Sequence, residues 1–184
     1  MHKTSEQTAH RESAALADRI RSVPRLSAPD QARAEVDAWL KDVTASPASE
    51  KLTALIESRA AVRALIEGVA EGSPYLWDLA RFDPVRLLRI LQSDPDARLD
   101  AALAETATAL QRADDEAQAM RELRLLKSEA ALLIALSDIG GVWPVMRVTR
   151  ALTDLADAAV RGAVRFLLKR AALDGKLRPP DLAR

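Results

Sequence analysis

The sequence predicts an all-α protein, a multi-helix bundle built around a long antiparallel helical hairpin. Alanine and leucine dominate a composition that is 48% hydrophobic and 29% charged, which is typical of a globular chain. Only 3% of the residues are aromatic, and runs of β-branched residues are absent. Pairs of a capping residue and proline also recur along the chain, and each pair favours a helix start. Together these observations favour helices over strands.

The N-terminal part is predicted to contain a flexible segment followed by two helices. Residues 1–12 are polar and lack an apolar pattern, so we expect them to be flexible. A short helix over residues 13–22 should end before Pro24, because proline cannot continue a helix. A second helix over residues 29–40 should turn Trp39 inward.

Four capping pairs mark the starts of further helices. They are Ser46-Pro47, Ser73-Pro74, Asp83-Pro84 and Asp94-Pro95. In each pair the first side chain can accept a hydrogen bond from a free backbone amide, and proline occupies a position where no N–H is needed. We predict one helix from Pro47 to Gly72, then two short helices, and then a longer and less apolar helix from Pro95.

The hairpin itself is predicted over residues 114–170. Its first helix begins with acidic residues, which suit the positive end of a helix dipole, and ends in the all-apolar run 130–136, which suits a buried position. Gly140-Gly141 is typical of a tight corner. The second helix, after Pro144, carries an apolar stripe at spacings of three and four, and its small residues, such as Gly162, should let another helix approach. The stripe consists of Val145, Val148, Leu152, Leu155, Ala159, Ala163 and Leu167.

One helical domain is predicted over residues 13–175. Asp174-Gly175 is typical of a helix end, and residues 176–184 have the composition of a linker.

Charge and composition exclude several classes of function. The formal net charge is zero and the pI is about 6.8, so no overall attraction to nucleic acid or to anionic lipid is expected. The chain has no cysteine, which excludes disulfides, thiolate metal ligands and a cysteine nucleophile. Residues 1–27 contain no apolar signal segment. We therefore expect a cytoplasmic protein with neither nucleic acid nor a membrane as a partner.

Patterns for catalysis or metal binding are scarce. His2 and His10 could bind a metal, but they belong to the polar terminus, where fixed ligand geometry is not expected. The acidic run 114–116 does not converge on one ion, because adjacent helical residues point in different directions. Asp94-Pro95-Asp96 is interpreted as a helix cap, and Gly140-Gly141 lacks the rest of a phosphate-binding loop. The sequence therefore predicts no catalytic residue and no metal site.

A DNA-binding helix-turn-helix is a competing interpretation of the hairpin. Gly140-Gly141 would be the turn, and Arg147 and Arg150 would lie on the helix that contacts the bases. The two predicted helices are much longer than those of that motif, and the net charge of zero does not favour DNA. We therefore interpret the two glycines as a helix corner.

Two blocks of the sequence resemble one bacterial family. The first is Gly72-Ser-Pro-Tyr-Leu-Trp-Asp-Leu-Ala80 followed by Asp83-Pro84. The second consists of Met120-Arg-Glu-Leu-Arg-Leu-Leu-Lys127, Leu133-Ile-Ala-Leu-Ser-Asp-Ile-Gly140 and Val148-Thr-Arg-Ala-Leu-Thr-Asp-Leu-Ala-Asp157. In order and separation they resemble the glutamine synthetase adenylyltransferase/adenylyl-removing enzymes, in the segment just before the first nucleotidyltransferase domain.

The resemblance implies a large bifunctional enzyme in nitrogen regulation. One half would transfer AMP from ATP to a tyrosine of glutamine synthetase, the other half would remove it by phosphorolysis, and a PII-type signal protein and glutamine would set the balance. Mg²⁺ and ATP or ADP are implied for the parent enzyme, which would use a Gly-rich segment followed by an Asp-x-Asp pair. This chain contains no such Gly-rich segment, and its Asp94-Pro95-Asp96 is a helix cap and not a pair in that context. This chain would be inactive alone and would support the adenylyl-removing half, with residues 176–184 as a linker toward a missing downstream catalytic domain.

Basic residues on the first hairpin helix are candidates for an interdomain contact. They are Arg121, Arg124 and Lys127. In the family the corresponding segment lies next to the catalytic domain, so the resemblance implies a contact with that domain or with its nucleotide; a solvated flank is the alternative. A second basic row, Arg161, Arg165 and Lys169, is interpreted as a solvated face in which Asp157 could pair with Arg161.

Three aromatic residues are candidates for a partner surface. Tyr75, Trp77 and Trp143 could form an exposed patch, and packing at helix corners is the alternative. A stand-alone helical protein-interaction module without catalytic activity is the alternative to the enzyme segment as a whole.

Overall fold

The structure is a computed structural model that describes residues 15–43 and 47–177. Within these ranges it contains nine helices and no strand, which confirms the predicted all-α class. The helices are α1 (Leu16–Arg19), α2 (Pro29–Asp42), α3 (Pro47–Ser58), α4 (Ala60–Gly72), α5 (Pro74–Arg81), α6 (Pro84–Gln92), α7 (Pro95–Arg112), α8 (Glu116–Ile139) and α9 (Val145–Leu173). None of the helices described here is long and apolar enough to cross a membrane.

Several predictions concern residues outside the described ranges. They are those for the flexible segment 1–12, the two histidines His2 and His10, the Ser46 cap and most of the linker 176–184.

The predicted capping residues begin the middle helices. Ser73 Oγ, Asp83 Oδ1 and Asp94 Oδ1 each accept a hydrogen bond from the backbone amide three residues later, at 3.3, 2.9 and 3.0 Å. Asp115 caps α8 in the same way, accepting from the Gln118 amide at 2.8 Å. These bonds satisfy amides that a helix leaves free at its N-terminus. The cap-proline pattern therefore located three helix starts correctly.

The single helix predicted from Pro47 to Gly72 is wrong, because the chain breaks at Arg59. This residue has extended backbone angles (φ −125°, ψ 100°) and separates α3 from α4. α3 packs against α6, whereas α4 packs against α2. One straight helix could not bury its apolar residues against both partners. The Arg59 guanidinium pairs with Asp18 of α1, which anchors the break to the neighbouring helix.

The main core is the large cluster of buried apolar side chains that α1 to α6 form with the first part of α7, the second half of α8 and the first turns of α9. Burying such a side chain contributes about 1.5–3 kcal/mol. The predicted core run 130–136 lies in the middle of this cluster. The largest fully buried members are Leu16, Leu52, Ile56, Leu65, Ile66, Leu87, Ile90, Leu91, Leu99, Leu132, Leu133 and Leu136.

The corner between α8 and α9 is held by the segment that follows α1. Gly141 has φ +63°, a left-handed conformation that favours glycine. The backbone amides of Arg21 and Ser22 donate to the Gly140 carbonyl at 2.8 and 3.2 Å, and Ser22 Oγ donates to the Ile139 carbonyl at 2.9 Å. The carbonyls that the end of α8 leaves free therefore find partners in this segment.

The apolar stripe predicted for α9 is only partly buried. Val148 lies in the main core, but Val145, Leu152 and Leu167 are 71%, 51% and 57% exposed. Leu167 lies beyond the part of α9 that contacts the main core. Val145 and Leu152 lie within that part, but on the side of the helix that faces away from the buried Ala151. Its other buried residues are Ala151 near the start and Phe166 near the end.

The far end of α9 packs in a smaller cluster, which we call the distal cluster. It contains buried Leu110, Ala113, Ala119 and Phe166, with Leu123 packed against them. A Cβ atom on Gly162 would lie 2.4 Å from Leu110 Cδ1, so the predicted close helix approach does occur at this glycine. The Lys169 amine donates to the Gln111 carbonyl at 2.9 Å, and Arg170 donates to the Asp114 carbonyl at 3.1 Å.

Candidate functional site

The predicted basic flank lies on the exposed side of α8. Arg121, Arg124 and Lys127 are all exposed, and none forms a hydrogen bond or ion pair with the described residues. The Lys127 amine lies 5.8 Å from the centroid of the Tyr75 ring, within the range of a cation–π contact. The structure therefore brings together two of the candidate sets that the sequence predicted separately.

An apolar groove lies beside this flank, between α8 and α9. It has a volume of about 370 Å³. Arg124 and Lys127 form its basic rim, and its other lining residues are apolar: Leu123, Leu152, Leu155, Ala156 and Ala159. A groove with this composition can bury an apolar side chain of another protein segment while its rim pairs with an anionic group.

The structure contradicts the partner-surface hypothesis for the two tryptophans. Trp77 and Trp143 are each 4% exposed, whereas Tyr75 is 49% exposed. Trp77 packs edge-to-face against Trp39, with ring centroids 5.2 Å apart, and Trp143 Nε1 donates to Asp96 Oδ2 at 3.2 Å. The alternative, packing at helix corners, is correct for both tryptophans, and of the three only Tyr75 belongs to the surface.

The contacts of Arg147 also argue against the DNA-binding interpretation. Its Nε donates to Asp96 Oδ1 at 2.6 Å, and its guanidinium lies 4.4 Å from the centroid of the Trp143 ring. Asp94 pairs with Arg19 at 2.9 Å. Both carboxylates of the α7 cap therefore pair with arginines. No group of three or more His, Asp or Glu residues in the described part of the chain could hold a metal ion.

The ionisable groups with shifted pKa values belong to structural ion pairs. The hydrogen bond from Arg98 lowers the pKa of Glu105, and the same bond raises the pKa of Arg98. Glu129 joins this network, with carboxylate oxygens 2.7 Å from both Arg98 and Arg89. The network connects α6, α7 and α8. A hydrogen bond from Arg63 likewise lowers the pKa of Asp37 and connects α4 to α2. None of these groups lines the α8–α9 groove.

A second cleft, between α7 and α9, was not predicted from the sequence. It has a volume of about 260 Å³, an apolar wall and a basic rim. Its lining residues include Leu103, Thr106, Leu110, Leu126, Arg161, Arg165, Phe166 and Lys169. The spacing of the three basic residues and the neighbouring Gly162 were visible in the sequence, but the fact that α7 forms the opposite wall depends on the tertiary structure.

The chain matches a known protein family. The family model described as glutamate-ammonia ligase adenylyltransferase matches residues 62–183. This range includes both long helices, the α8–α9 groove and the α7–α9 cleft. No solved structure matches the chain significantly.

Curated relatives are similar over nearly the whole chain. The bifunctional glutamine synthetase adenylyltransferase/adenylyl-removing enzyme of Rhodopseudomonas palustris (strain HaA2) is 48% identical over 168 residues, which is 91% of this chain and 17% of the relative. The enzyme of the same description from Bradyrhizobium diazoefficiens is 45% identical over 181 residues, 98% of this chain and 18% of the relative. The enzyme of the same description from Xanthobacter autotrophicus is 47% identical over 169 residues, which is 91% of this chain and 17% of the relative. The chain therefore spans less than a fifth of the length of these relatives.

Proposed function

The chain belongs to the glutamate-ammonia ligase adenylyltransferase family, and from this membership we propose that it is the helical segment before the first nucleotidyltransferase domain of a bifunctional enzyme. That enzyme would adenylylate and deadenylylate glutamine synthetase. The names of the relatives support this proposal, since each is described as an adenylyltransferase/adenylyl-removing enzyme of glutamine synthetase. The segment would act without catalytic residues of its own and would support the adenylyl-removing half.

The observation that carries this role is the basic rim of the α8–α9 groove. Arg124 and Lys127 are exposed and have no acidic partner among the described residues. Leu152 and Ala156 beside them form part of the apolar surface of the groove. Two cations next to an open apolar groove suit a neighbouring domain that carries an acidic surface or a bound nucleotide. We therefore place the contact with the catalytic domain at Arg121, Arg124 and Lys127, with Tyr75 at its edge.

The proposal assigns nucleotide chemistry to the rest of the enzyme. Mg²⁺ together with ATP or ADP would bind in the nucleotidyltransferase domains, where Mg²⁺ would neutralise the phosphates of the nucleotide. Glutamine synthetase and a PII-type signal protein would be the protein partners. The role of this chain would be to hold the adenylyl-removing domain in its working position.

The first test uses the full gene product that contains this chain. The double variant Arg124→Glu/Lys127→Glu should slow phosphate-dependent ADP release from adenylylated glutamine synthetase about tenfold, equivalent to about 1.4 kcal/mol, because both rim charges are reversed. Incorporation of AMP into glutamine synthetase should change less. Arg25→Glu is the matched control, since Arg25 is also exposed but lies between α1 and α2.

Three results would contradict parts of this proposal. Unchanged rates of both half-reactions in the double variant would exclude the basic flank as an interdomain contact. ADP release by the purified 184-residue chain alone would contradict the assignment of the chemistry to another domain. A gene that encodes no Gly-rich segment and Asp-x-Asp pair beyond the codon for Arg184 would favour the alternative, a stand-alone interaction module.

A further inference from the structure

The outer face of α9 carries apolar side chains that the rest of the described chain does not cover. Val160, Val164, Leu167 and Leu168 are 65%, 48%, 57% and 52% exposed. Their spacing of four, three and one residues places them along one side of the helix. Contiguous apolar side chains on an exposed helix are typical of an interaction surface. We call these four residues the outer face of α9.

A row of cations borders the outer face on the side of α7. It consists of Arg161, Arg165 and Lys169, each four residues from the next, so the three side chains follow one another along the helix. Lys169 donates to a backbone carbonyl of α7, but Arg161 and Arg165 form no hydrogen bond or ion pair with the described residues. The expected pair between Asp157 and Arg161 is therefore not formed.

The α7–α9 cleft opens next to this row of cations. Its apolar wall includes Leu103, Leu110 and Phe166, and its volume of about 260 Å³ has room for a large apolar side chain. Thr106, which is only 9% exposed, lines the cleft, and its hydroxyl forms no hydrogen bond with the described residues. That hydroxyl oxygen is accessible from the cleft, so it can bond to a ligand that enters it.

We propose that the outer face of α9 and the α7–α9 cleft together bind an acidic amphipathic helix from the remainder of the same enzyme. Apolar side chains of that helix would cover the outer face and place one anchor residue in the cleft. Its carboxylates would pair with Arg161 and Arg165. This inference rests on the proposed function, and it concerns a different surface from the basic flank of α8.

Two observations favour a segment of the same enzyme as the occupant. The curated relatives are more than five times as long as the part that this chain matches, so most of such an enzyme is available to cover α9. The cationic row also requires a partner that is acidic along one edge. A second copy of this chain would not meet that requirement, because two α9 helices paired antiparallel about Arg165 would bring cations against cations.

Thiol labelling in the full-length enzyme tests the proposal directly. This chain has no native cysteine, so Val164→Cys introduces a single thiol into it, and mass spectrometry of the peptide separates that thiol from others in the enzyme. Val23→Cys is the matched control, since Val23 is also a valine and is 43% exposed between α1 and α2. Each labelling rate is divided by the rate of the same thiol in the unfolded enzyme. On this scale the thiol at position 164 should be modified at least about tenfold more slowly than the thiol at position 23. The reason is that a covered thiol reacts only when the structure opens locally.

Charge reversal tests the chemistry of the occupant. Arg165→Glu, combined with Val164→Cys, should raise the labelling rate at position 164, because like charges would weaken the docked helix. Arg25→Glu should leave that rate unchanged. Protection at position 164 that survives Arg165→Glu would overturn the acidic helix as the occupant.

The remaining outcomes are equally decisive. Rapid labelling at position 164 in the folded full-length enzyme would overturn the proposal. Protection that falls when the enzyme is diluted would identify a second copy as the occupant and would also overturn it. Labelling does not depend on either half-reaction, so a failure here leaves the test of Arg124 and Lys127 intact, and the reverse also holds.

Discussion

The main core and the distal cluster are built from the same kinds of helix, but they differ in how completely they bury their apolar residues. The main core collects buried leucine and isoleucine side chains from most of the described helices and leaves its largest members with no exposed surface. The distal cluster has four buried residues, two of them alanines, while Leu167 and Leu168 beside it stay exposed. α9 takes part in both regions.

The two regions also differ in how completely their charged side chains are paired. Around the main core, Arg98, Glu129 and Arg89 form a half-buried network that connects three helices. At the distal end, Arg161 and Arg165 have no partner among the described residues. The main core therefore contributes most of the packing that stabilises the fold, whereas the distal end leaves apolar and cationic side chains exposed.

Leucine truncation should separate the two regions most strongly. Leu133→Ala should lower the free energy of unfolding by about 2–5 kcal/mol, because it opens a cavity in the main core. Leu167→Ala, at the exposed distal end, should change it by less than about 0.5 kcal/mol. Urea denaturation of the two variants measures both values. Equal losses would show that the distal end is as tightly packed as the main core.

Removal of a charge from the ion network should have a smaller effect. Glu129→Gln should cost about 1.5–3 kcal/mol, because Arg98 and Arg89 would both lose a charged partner at partly buried positions. The comparison at the distal end is Arg165→Gln, which should stay within about 0.5 kcal/mol because no partner is lost. Thermal or urea unfolding of the pair measures the difference, and a destabilised Arg165→Gln variant would reveal a distal ion pair.

Two glycines at close helix contacts extend the comparison to backbone packing. A Cβ on Gly68 would lie 2.5 Å from the ring of Pro24, a rigid neighbour, so Gly68→Ala should cost about 1–3 kcal/mol. A Cβ on Gly162 would lie 2.4 Å from Leu110 Cδ1, the end of a flexible side chain that lines the α7–α9 cleft, and 4.0 Å from Leu123 Cδ2. There the gain in helix propensity of about 1 kcal/mol should offset most of the strain. Urea unfolding of both variants measures the two costs, and if Gly162→Ala is the more damaging change, the distal contact is rigid.

A pH dependence from the pair of Asp37 and Arg63 should be the weakest of these effects. The pKa of Asp37 is lower in the folded state than in the unfolded state. The Asp37 carboxylate therefore stabilises the fold at pH values above its unfolded pKa of about 3.9, and this stabilisation is lost as the pH falls through the folded pKa. Asp37→Asn should therefore remove part of the stability that the protein loses as the pH falls below about 5. Urea midpoints across this range measure it. A variant with the same acid profile as the parent chain would show that other carboxylates dominate.

Local signals in the sequence predicted much of the fold. Ser73, Asp83 and Asp94 are short polar residues followed by proline, and each begins a helix because the cap and the fixed φ of proline act within a few residues. The run 130–136 is buried because a segment that is apolar on every side has no stable exposed position. The two family-like blocks also led to the correct family.

Other features could not be predicted locally. The propensities of residues 58–60 do not forbid a continuous helix, and the break at Arg59 arises because α3 and α4 pack on different partners. Tyr75, Trp77 and Trp143 look alike in sequence, yet only the tyrosine is exposed. Whether an aromatic residue faces solvent depends on helices that are distant in the chain.

The amino-acid sequence alone was sufficient to establish the all-α class, most helix starts, the central buried run and the family. These depend on capping, periodicity and local composition, which act over one or two turns. The arrangement of the folded helices was needed to show that Arg161 and Arg165 lie beside a cleft, that Lys127 meets Tyr75 and that part of the apolar stripe of α9 remains exposed. Those outcomes depend on which helices lie next to each other. The neighbouring helices in the described chain are too few to cover all the apolar side chains along α9, so part of them stays exposed.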